Sequence, residues 1–156
     1  MKFFVLAVFP LIVCALNFYL DTLYPDNNGR GSRLGLESAN FAGEPEFDRL
    51  SEGPSCPATF TIVGGSLVAT ACQDKWIASW SEIPSHDAWE LVFQRKPWPK
   101  TFPGFEIKKE NPLGDYYLYF DQSNAFVTCT GTVFRAKGKG DLEENCFSVK
   151  VRVSHV

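Results

Sequence analysis

The sequence has few of the residues on which acid–base catalysis and metal binding rely near neutral pH. Its 156 residues include two histidines, His86 and His155, and no Cys-x-x-Cys pair. Tetrahedral zinc sites are built from such pairs and from histidines, so we expect no metal site. No serine stands in the glycine-flanked turn of a hydrolase nucleophile. The sequence therefore predicts neither a catalytic constellation nor a cofactor.

An excess of basic charge and long helical stripes are also lacking. The 15 Lys and Arg residues face 18 Asp and Glu residues, which gives a net charge of −3. Proteins that bind nucleic acid through its phosphates carry the opposite balance, so we expect no nucleic-acid partner. Apolar residues follow a helical period nowhere for more than two turns. The best candidate for a single helical turn is residues 85–90.

An apolar segment opens the chain. Lys2 precedes an apolar run over residues 3–15, which ends on the small-residue pattern of a signal peptidase site. A membrane anchor is the alternative, but Pro10 and Asn17 interrupt the apolar stretch, which barely reaches the roughly 18 residues of a spanning helix. We predict a signal peptide over residues 1–15, an extracellular protein and no membrane attachment once the signal is removed.

Residues 16–54, called the leader below, differ in composition from the rest of the chain. From residue 21 onward the leader holds seven acidic residues against three arginines, together with five glycines and three prolines. Residues 55–156 hold eleven acidic and eleven basic residues. We predict a flexible acidic leader, which folds only against a partner if it folds at all, followed by a neutral β domain over residues 55–156.

Within the β domain, apolar and polar residues alternate with a period of two, as β-strands require. Gly64-Gly65 is a two-residue turn signal between two such stretches. The predicted strands lie around residues 59–62, 66–72, 76–80, 89–93, 105–107, 116–120, 125–134 and 147–153. The pattern predicts an all-β fold, a small antiparallel β-sandwich or barrel of seven or eight strands. Trp76 and Trp80 share one strand face and are predicted to be core residues.

Four cysteines remain after removal of the predicted signal peptide, and an even number in a secreted protein predicts disulfides. Cys56 and Cys72 flank the Gly64-Gly65 turn, and Cys129 and Cys146 flank a loop near residues 135–141. This symmetry favours the local pairs 56–72 and 129–146. The cross-sheet alternative, 56–146 with 72–129, stays open, since longer loops constrain the unfolded chain more.

The candidate binding surface is centred on the fourth tryptophan, Trp98. Trp98 lies between two prolines and close to the cations Arg95, Lys96 and Lys100, with Phe102 just beyond. An exposed rigid aromatic beside cations can anchor a protein contact or stack on a sugar ring. His86, beside Asp87 and near Glu90, is the candidate for ribonuclease-like acid–base chemistry.

The succession of signal peptide, acidic leader and compact four-cysteine β domain resembles the small secreted effector proteins of plant-pathogenic fungi. The Ser55-Cys56-Pro57 start, followed by strands and a late cysteine pair, is also similar to the Alt a 1-type fungal β-barrel family. The resemblance implies a secreted, non-enzymatic virulence factor that binds a host or neighbouring-cell protein, and whose site of action extends to the interior of host cells. The alternatives are a carbohydrate-binding module around Trp98 and a small ribonuclease using His86.

Overall fold

The computed structural model describes residues 16–25, 31–38, 47–83, 88–95, 102–136 and 145–155. The described chain forms twelve strands, all paired antiparallel. They are β1 (Phe18–Leu23), β2 (Leu34–Ser38), β3 (Phe47–Glu52), β4 (Cys56–Val63), β5 (Ser66–Ala71), β6 (Asp74–Ile83), β7 (Ala88–Gln94), β8 (Phe105–Lys109), β9 (Tyr116–Phe120), β10 (Phe126–Cys129), β11 (Thr132–Ala136) and β12 (Cys146–His155). The predicted all-β class is confirmed, with more strands than the seven or eight expected.

Tight two-residue turns reverse the chain between several strands. Gly64-Gly65 joins β4 to β5 as predicted, with φ of 57° and 80°, and Cys72-Gln73 joins β5 to β6 with φ of 47° and 69°. Positive φ at both central residues matches the twist of paired strands in a hairpin. A third turn of this kind, Thr130-Gly131, divides the predicted single strand 125–134 into β10 and β11. The prediction of one continuous strand was wrong, because the chain reverses direction at Thr130-Gly131.

The sheet closes on itself around the meander β4–β5–β6–β7. At one end, the β2–β3 hairpin pairs with the beginning of β4 and the end of β7, which completes a six-stranded ring. Toward the other end, β1, β12, β10 and β11 connect the later part of β4 to the beginning of β7 in an eight-stranded ring. The hairpin β8–β9 adds to β12. Between the two rings, the β2–β3 hairpin meets β1 at the Asp21–Arg33 bridge and β11 at the Thr132–Ser51 pair, and this junction is called the seam below.

The leader contributes β1, β2 and β3 to this sheet, so the prediction of flexibility was wrong for its described residues. Leu20, Leu34, Leu36 and Leu50 are all fully buried in the same core as the later strands. These strands have only five or six residues each, too few for alternation to stand out against the acidic composition. The boundary predicted at residue 55 falls between strands of one sheet. The predicted signal peptide, residues 1–15, lies outside the described residues.

The core consists of strand residues that point inward, as the alternation of apolar and polar residues predicts. It includes three sets of predicted residues: Leu67, Ala69 and Ala71 of β5, Trp76 and Ala78 of β6, and Val149, Val151 and Val153 of β12. Trp80 is half-buried and packs against the same core. Phe147 alternates in phase with these valines, so the pattern predicts that it points inward, yet it is 56% exposed. The pairing of β1 with β12 ends at Lys150, so at Phe147 the strand β12 is paired on the β10 side and not with β1.

Both predicted local disulfides are confirmed, and the cross-sheet alternative is excluded. Cys56 bonds to Cys72, and Cys129 bonds to Cys146. The second bond joins directly opposed residues of β10 and β12. Each disulfide therefore links two segments that the pairing of their strands already brings together.

The two histidine-bearing segments both lead into strands of the sheet. Of the predicted helical turn 85–90, residues 88–90 belong to β7, and the earlier residues lie outside the described part of the chain. His155, expected to fray at the chain end, instead opposes Phe18 in the ladder between β1 and β12. Its ring stands edge-on to Tyr116, with the ring centroids 6.1 Å apart. Pairing with the leader strand β1 holds this end in place.

Candidate functional site

The structure describes two of the five residues predicted to form a binding surface. Arg95, at the end of β7, forms an ion pair with Asp74 at 2.9 Å, and its guanidinium carbon lies 4.5 Å from the centre of the Trp76 ring. Phe102 is half-buried. Trp98, Lys96 and Lys100 lie outside the described residues. Arg95 thus contacts β6, and the predicted surface as a whole stays a prediction.

His86 also lies outside the described residues. Of its predicted acidic neighbours, Glu90 is described. It is buried on β7 and forms an ion pair with Arg49 of β3 at 2.7 Å. Burial raises the pKa of the Glu90 carboxyl group, and the charge of Arg49 opposes that change. Glu90 therefore connects a leader strand to the later sheet, and the ribonuclease hypothesis gains no support from this contact.

A different aromatic surface lies on the outer face of four neighbouring strands, β8, β9, β12 and β1. The strand register places Tyr117 opposite Arg152, and Arg152 opposite Asp21. Because directly opposed residues point to the same side of a sheet, these positions belong to one face. Tyr119 of β9 and Tyr19 of β1 lie two residues along their strands from Tyr117 and Asp21, and thus on that same face. We call this surface the tyrosine face.

Each of the three tyrosines on this face is covered by a cation. The Arg33 guanidinium carbon lies 4.1 Å from the centre of the Tyr19 ring. The side-chain nitrogens of Lys108 and Lys150 lie 5.3 and 5.5 Å from the Tyr119 and Tyr117 ring centres, respectively. Cations within about 6 Å of an aromatic ring are attracted by the negative charge on its face. The rings and cations therefore hold one another in place across the sheet.

Acidic partners neutralise the cations of the tyrosine face. Lys150 forms an ion pair with Glu110 at 2.6 Å, and Lys108 forms one with Glu106 at 2.7 Å. The hydrogen bond between Lys150 and Glu110 raises the pKa of the lysine and lowers the pKa of the carboxyl group. Arg33 pairs with Asp21 at 2.6 Å. The face therefore presents ordered aromatic rings and charges of both signs.

The sequence analysis missed the tyrosine face, although one signal for it was present. Tyr117 and Tyr119 alternate with Leu118 in a predicted strand, so they must lie on the face opposite a core residue. No comparable signal pointed to Tyr19, because it lies in the leader. Only the pairing of β1 with β12 joins Tyr19 to the other two tyrosines.

A second polar arrangement, the seam cluster, consists of Thr22, Tyr24, Glu52 and Thr128. Thr22 lies near the end of β1, Glu52 ends β3, and Thr128 belongs to β10. The Tyr24 hydroxyl donates a hydrogen bond to Glu52 Oε1 at 2.7 Å, and the Thr22 hydroxyl donates a very short one to the same oxygen. The Glu52 backbone N–H donates to the carbonyl of Gly131 at 2.8 Å. These bonds fix the carboxylate at the seam of the barrel.

The seam cluster combines buried and accessible groups. Burial, followed by the hydrogen bond to Glu52, raises the pKa of Tyr24 to about 12, so its hydroxyl remains a donor at neutral pH. Thr22 and Thr128 are buried, whereas Tyr24 and Glu52 are half-buried. The exposed ring of Phe147 lies edge-on to Tyr24, with centroids 6.3 Å apart. The cluster is thus a carboxylate site with hydroxyl donors beneath an aromatic rim.

The described ranges hold neither a metal-binding cluster nor a membrane-spanning helix. These residues contain no group of three or more His, Cys, Asp or Glu side chains placed to hold a metal ion. No helix among them is long and apolar enough to span a membrane. No protein family, curated protein or solved structure matches this chain.

Proposed function

We propose that this protein is a secreted binding protein that acts on a partner protein of a host or neighbouring cell, and that it acts through the tyrosine face without catalysis. One observation carries the proposal. Tyr19, Tyr117 and Tyr119, each covered by a cation, lie on one face of four neighbouring strands. Tyrosine and arginine are enriched in protein interfaces and dominate their binding energy.

The rigidity of this surface supports the same proposal. The ion pairs and cation–ring contacts already order its long side chains, so binding loses less side-chain entropy than on a mobile surface. Two disulfides, which suit an extracellular location, tie the sheet together. Because charges of both signs alternate on the face, specificity would come from matching individual pairs rather than from general charge attraction.

The experiment compares two double variants of the disulfide-intact protein in pull-downs from host-cell extract. Tyr117→Ala with Tyr119→Ala removes the centre of the tyrosine face. The control, Thr70→Ala with Lys75→Ala, changes directly opposed residues on β5 and β6, far along the sheet. We expect the partner captured by the native protein to bind the tyrosine variant at least about tenfold more weakly, which corresponds to the loss of one hot-spot side chain.

Three results would contradict the proposal. The native protein could capture no protein, both double variants could lose the partner equally, or the native protein could turn over a substrate without binding a partner. Thermal unfolding of both variants, followed by circular dichroism, shows whether they keep the native fold.

A further inference from the structure

Strand β8 lies at the open edge of its sheet, and β9 is its one partner among the described strands. The Asp121 N–H donates to the Gly104 carbonyl at 3.0 Å, which directs that carbonyl toward the β9 side. The direction of the main-chain groups alternates along an antiparallel strand. The N–H and C=O groups of Phe105, Ile107 and Lys109 therefore point away from β9.

This outward edge is partly occupied at its beginning and open farther along. The Phe105 N–H donates to the carbonyl of Gly65, in the β4–β5 turn, at 2.9 Å. The outward main-chain groups of Ile107 and Lys109 have no such partner among the described residues. Glu106 and Lys109 are exposed and Ile107 is half-buried, so this part of β8 borders solvent. An unpaired strand edge is a template for the addition of another strand.

The sequence of β8 is complementary to itself when two copies lie antiparallel. With Ile107 opposite the Ile107 of a second copy, Glu106 of each copy lies opposite Lys108 of the other. Opposite charges directly across a ladder stabilise the pairing, and like charges destabilise it. Within one copy these two side chains form an ion pair at 2.7 Å, yet Glu106 remains 50% exposed and Lys108 42% exposed. Both charges are therefore accessible to a second copy.

We propose that this protein forms a two-fold symmetric dimer in which β8 pairs with β8 of a second copy. The Ile107 N–H of each copy would donate to the Ile107 carbonyl of the other. The Lys109 N–H would come opposite the Phe105 carbonyl. The Gly65 carbonyl already binds the Phe105 N–H, so the pairing ends at Phe105. The proposal goes beyond the binding role of the tyrosine face and does not depend on it.

A second copy matches this edge better than an arbitrary strand does. Charged residues on edge strands normally discourage pairing, because most partners leave the charges unmatched. Here symmetry matches Glu106 with Lys108 twice. The dimer would also join the two tyrosine faces, since Glu106 opposes Tyr119 and Lys108 opposes Tyr117 within each copy. Tyr119 of one copy and Tyr117 of the other would then lie in one row, roughly 14 Å apart across three strand spacings.

The test measures self-association of the full-length, disulfide-bonded protein by sedimentation velocity from about 1 μM to about 1 mM. We expect a monomer–dimer equilibrium with a Kd on the order of 100 μM, as suits a small interface. Lys108→Glu leaves only acidic side chains at the two charged positions, and Glu106→Lys leaves only basic ones. Each variant alone should associate at least about tenfold more weakly than the native protein, because both matched pairs become like-charge pairs.

Mixing the two variants provides the decisive arm. An equimolar mixture should form a heterodimer with about the native Kd, because each acidic position then opposes a basic one. The matched control is Lys75→Glu, which makes the same charge change at an exposed residue of β6 and should associate like the native protein. Circular dichroism and thermal melting show whether each variant keeps the native fold.

Three results would overturn the dimer. The native protein could remain monomeric at about ten times the expected Kd, either charge reversal could associate like the native protein, or the mixture could associate no more tightly than its components. A monomeric native protein that loses its captured host partner on either charge reversal would assign the edge to a strand of that partner. Such a result would overturn self-pairing and leave the proposed binding function intact.

Discussion

The leader and the remainder of the chain differ in how their strands find partners. The later strands pair largely with their neighbours along the chain, as in β4–β5–β6–β7 and β10–β11. In the leader, β2 and β3 also pair with each other, but β1 pairs with β12, so that Leu20 opposes Val153 at the other end of the sequence. A strand that pairs with a distant partner leaves no turn signal in the nearby sequence. An acidic composition with several glycines therefore does not by itself indicate disorder.

The two regions also differ in how they place their charges. In the leader, buried Asp21 accepts hydrogen bonds from Arg33 and Ser154 and lies 3.8 Å from Arg152. The charged pairs of β8 and β12 are more exposed, as Lys108 with Glu106 shows. The leader's acidic residues are thus in part internal connections to the later strands. The predictions below test how far the two regions form one cooperative unit.

Deletion of residues 16–54 should have the largest effect and abolish cooperative folding. It removes three strands, opens both rings of the barrel and exposes the apolar faces of β4, β7 and β12. The loss exceeds the roughly 5–15 kcal/mol by which a domain is normally stable. Near-ultraviolet circular dichroism and thermal melting provide the measurement. A shortened protein that keeps its near-ultraviolet spectrum and a sigmoidal melt would show that the leader is dispensable.

Leu36→Ala in β2 and Leu67→Ala in β5 should destabilise the protein by similar amounts, about 2–5 kcal/mol each. Both leucines are fully buried in the same core cluster. The measurement is the free energy of unfolding in urea. Leu113→Ala serves as the control, since Leu113 is fully exposed and the change should lie within about 0.5 kcal/mol. A much smaller effect at Leu36 than at Leu67 would indicate that the leader unfolds separately.

Asp21→Asn should cost about 1–3 kcal/mol, because it leaves hydrogen-bond donors of Arg33 and Ser154 without a charged acceptor. Glu106→Gln, which breaks an exposed pair with Lys108, should cost less than about 1 kcal/mol. Urea unfolding of the two variants measures both values. Equal costs at the two positions would mean that burial of the leader carboxylate is energetically unimportant.

Glu90 should produce the smallest effect, visible as a dependence on pH. Because its pKa is raised in the folded state, its contribution to stability is fully present below the unfolded pKa of about 4.3 and is lost as pH rises through the folded value. The native protein should therefore lose stability relative to Glu90→Gln as pH rises above about 4.3. Urea midpoints at several pH values measure this difference.

The matched comparison is Glu110→Gln, for which the sign reverses. The hydrogen bond from Lys150 lowers the pKa of Glu110, so its contribution is present above the unfolded pKa and is lost as pH falls. The native protein should gain stability relative to Glu110→Gln as pH rises. Parallel trends for the two variants would contradict the assignment of Glu90 as the buried and Glu110 as the ion-paired carboxyl group.

Sequence reasoning worked best where partners are close along the chain. It predicted the Gly64-Gly65 turn and both disulfides, because each depends on residues fewer than twenty positions apart. It failed at Phe147, whose alternation matches the buried valines of β12, because exposure there depends on where β1 ends. The tyrosine face was open to prediction at Tyr117 and Tyr119 only, since the third tyrosine reaches this face through a distant pairing.

By itself, the amino-acid sequence determined the all-β class and most strands after residue 55, and it favoured the local pairing of four cysteines. Alternation and turn chemistry act between near neighbours, so these features can be read directly from the chain. The tertiary structure alone decided that the leader completes the barrel, that Asp21 is buried against Arg152 and Ser154, and that Thr22, Tyr24 and Glu52 meet. Each of these depends on strands that lie far apart in the sequence and become neighbours only when the sheet closes.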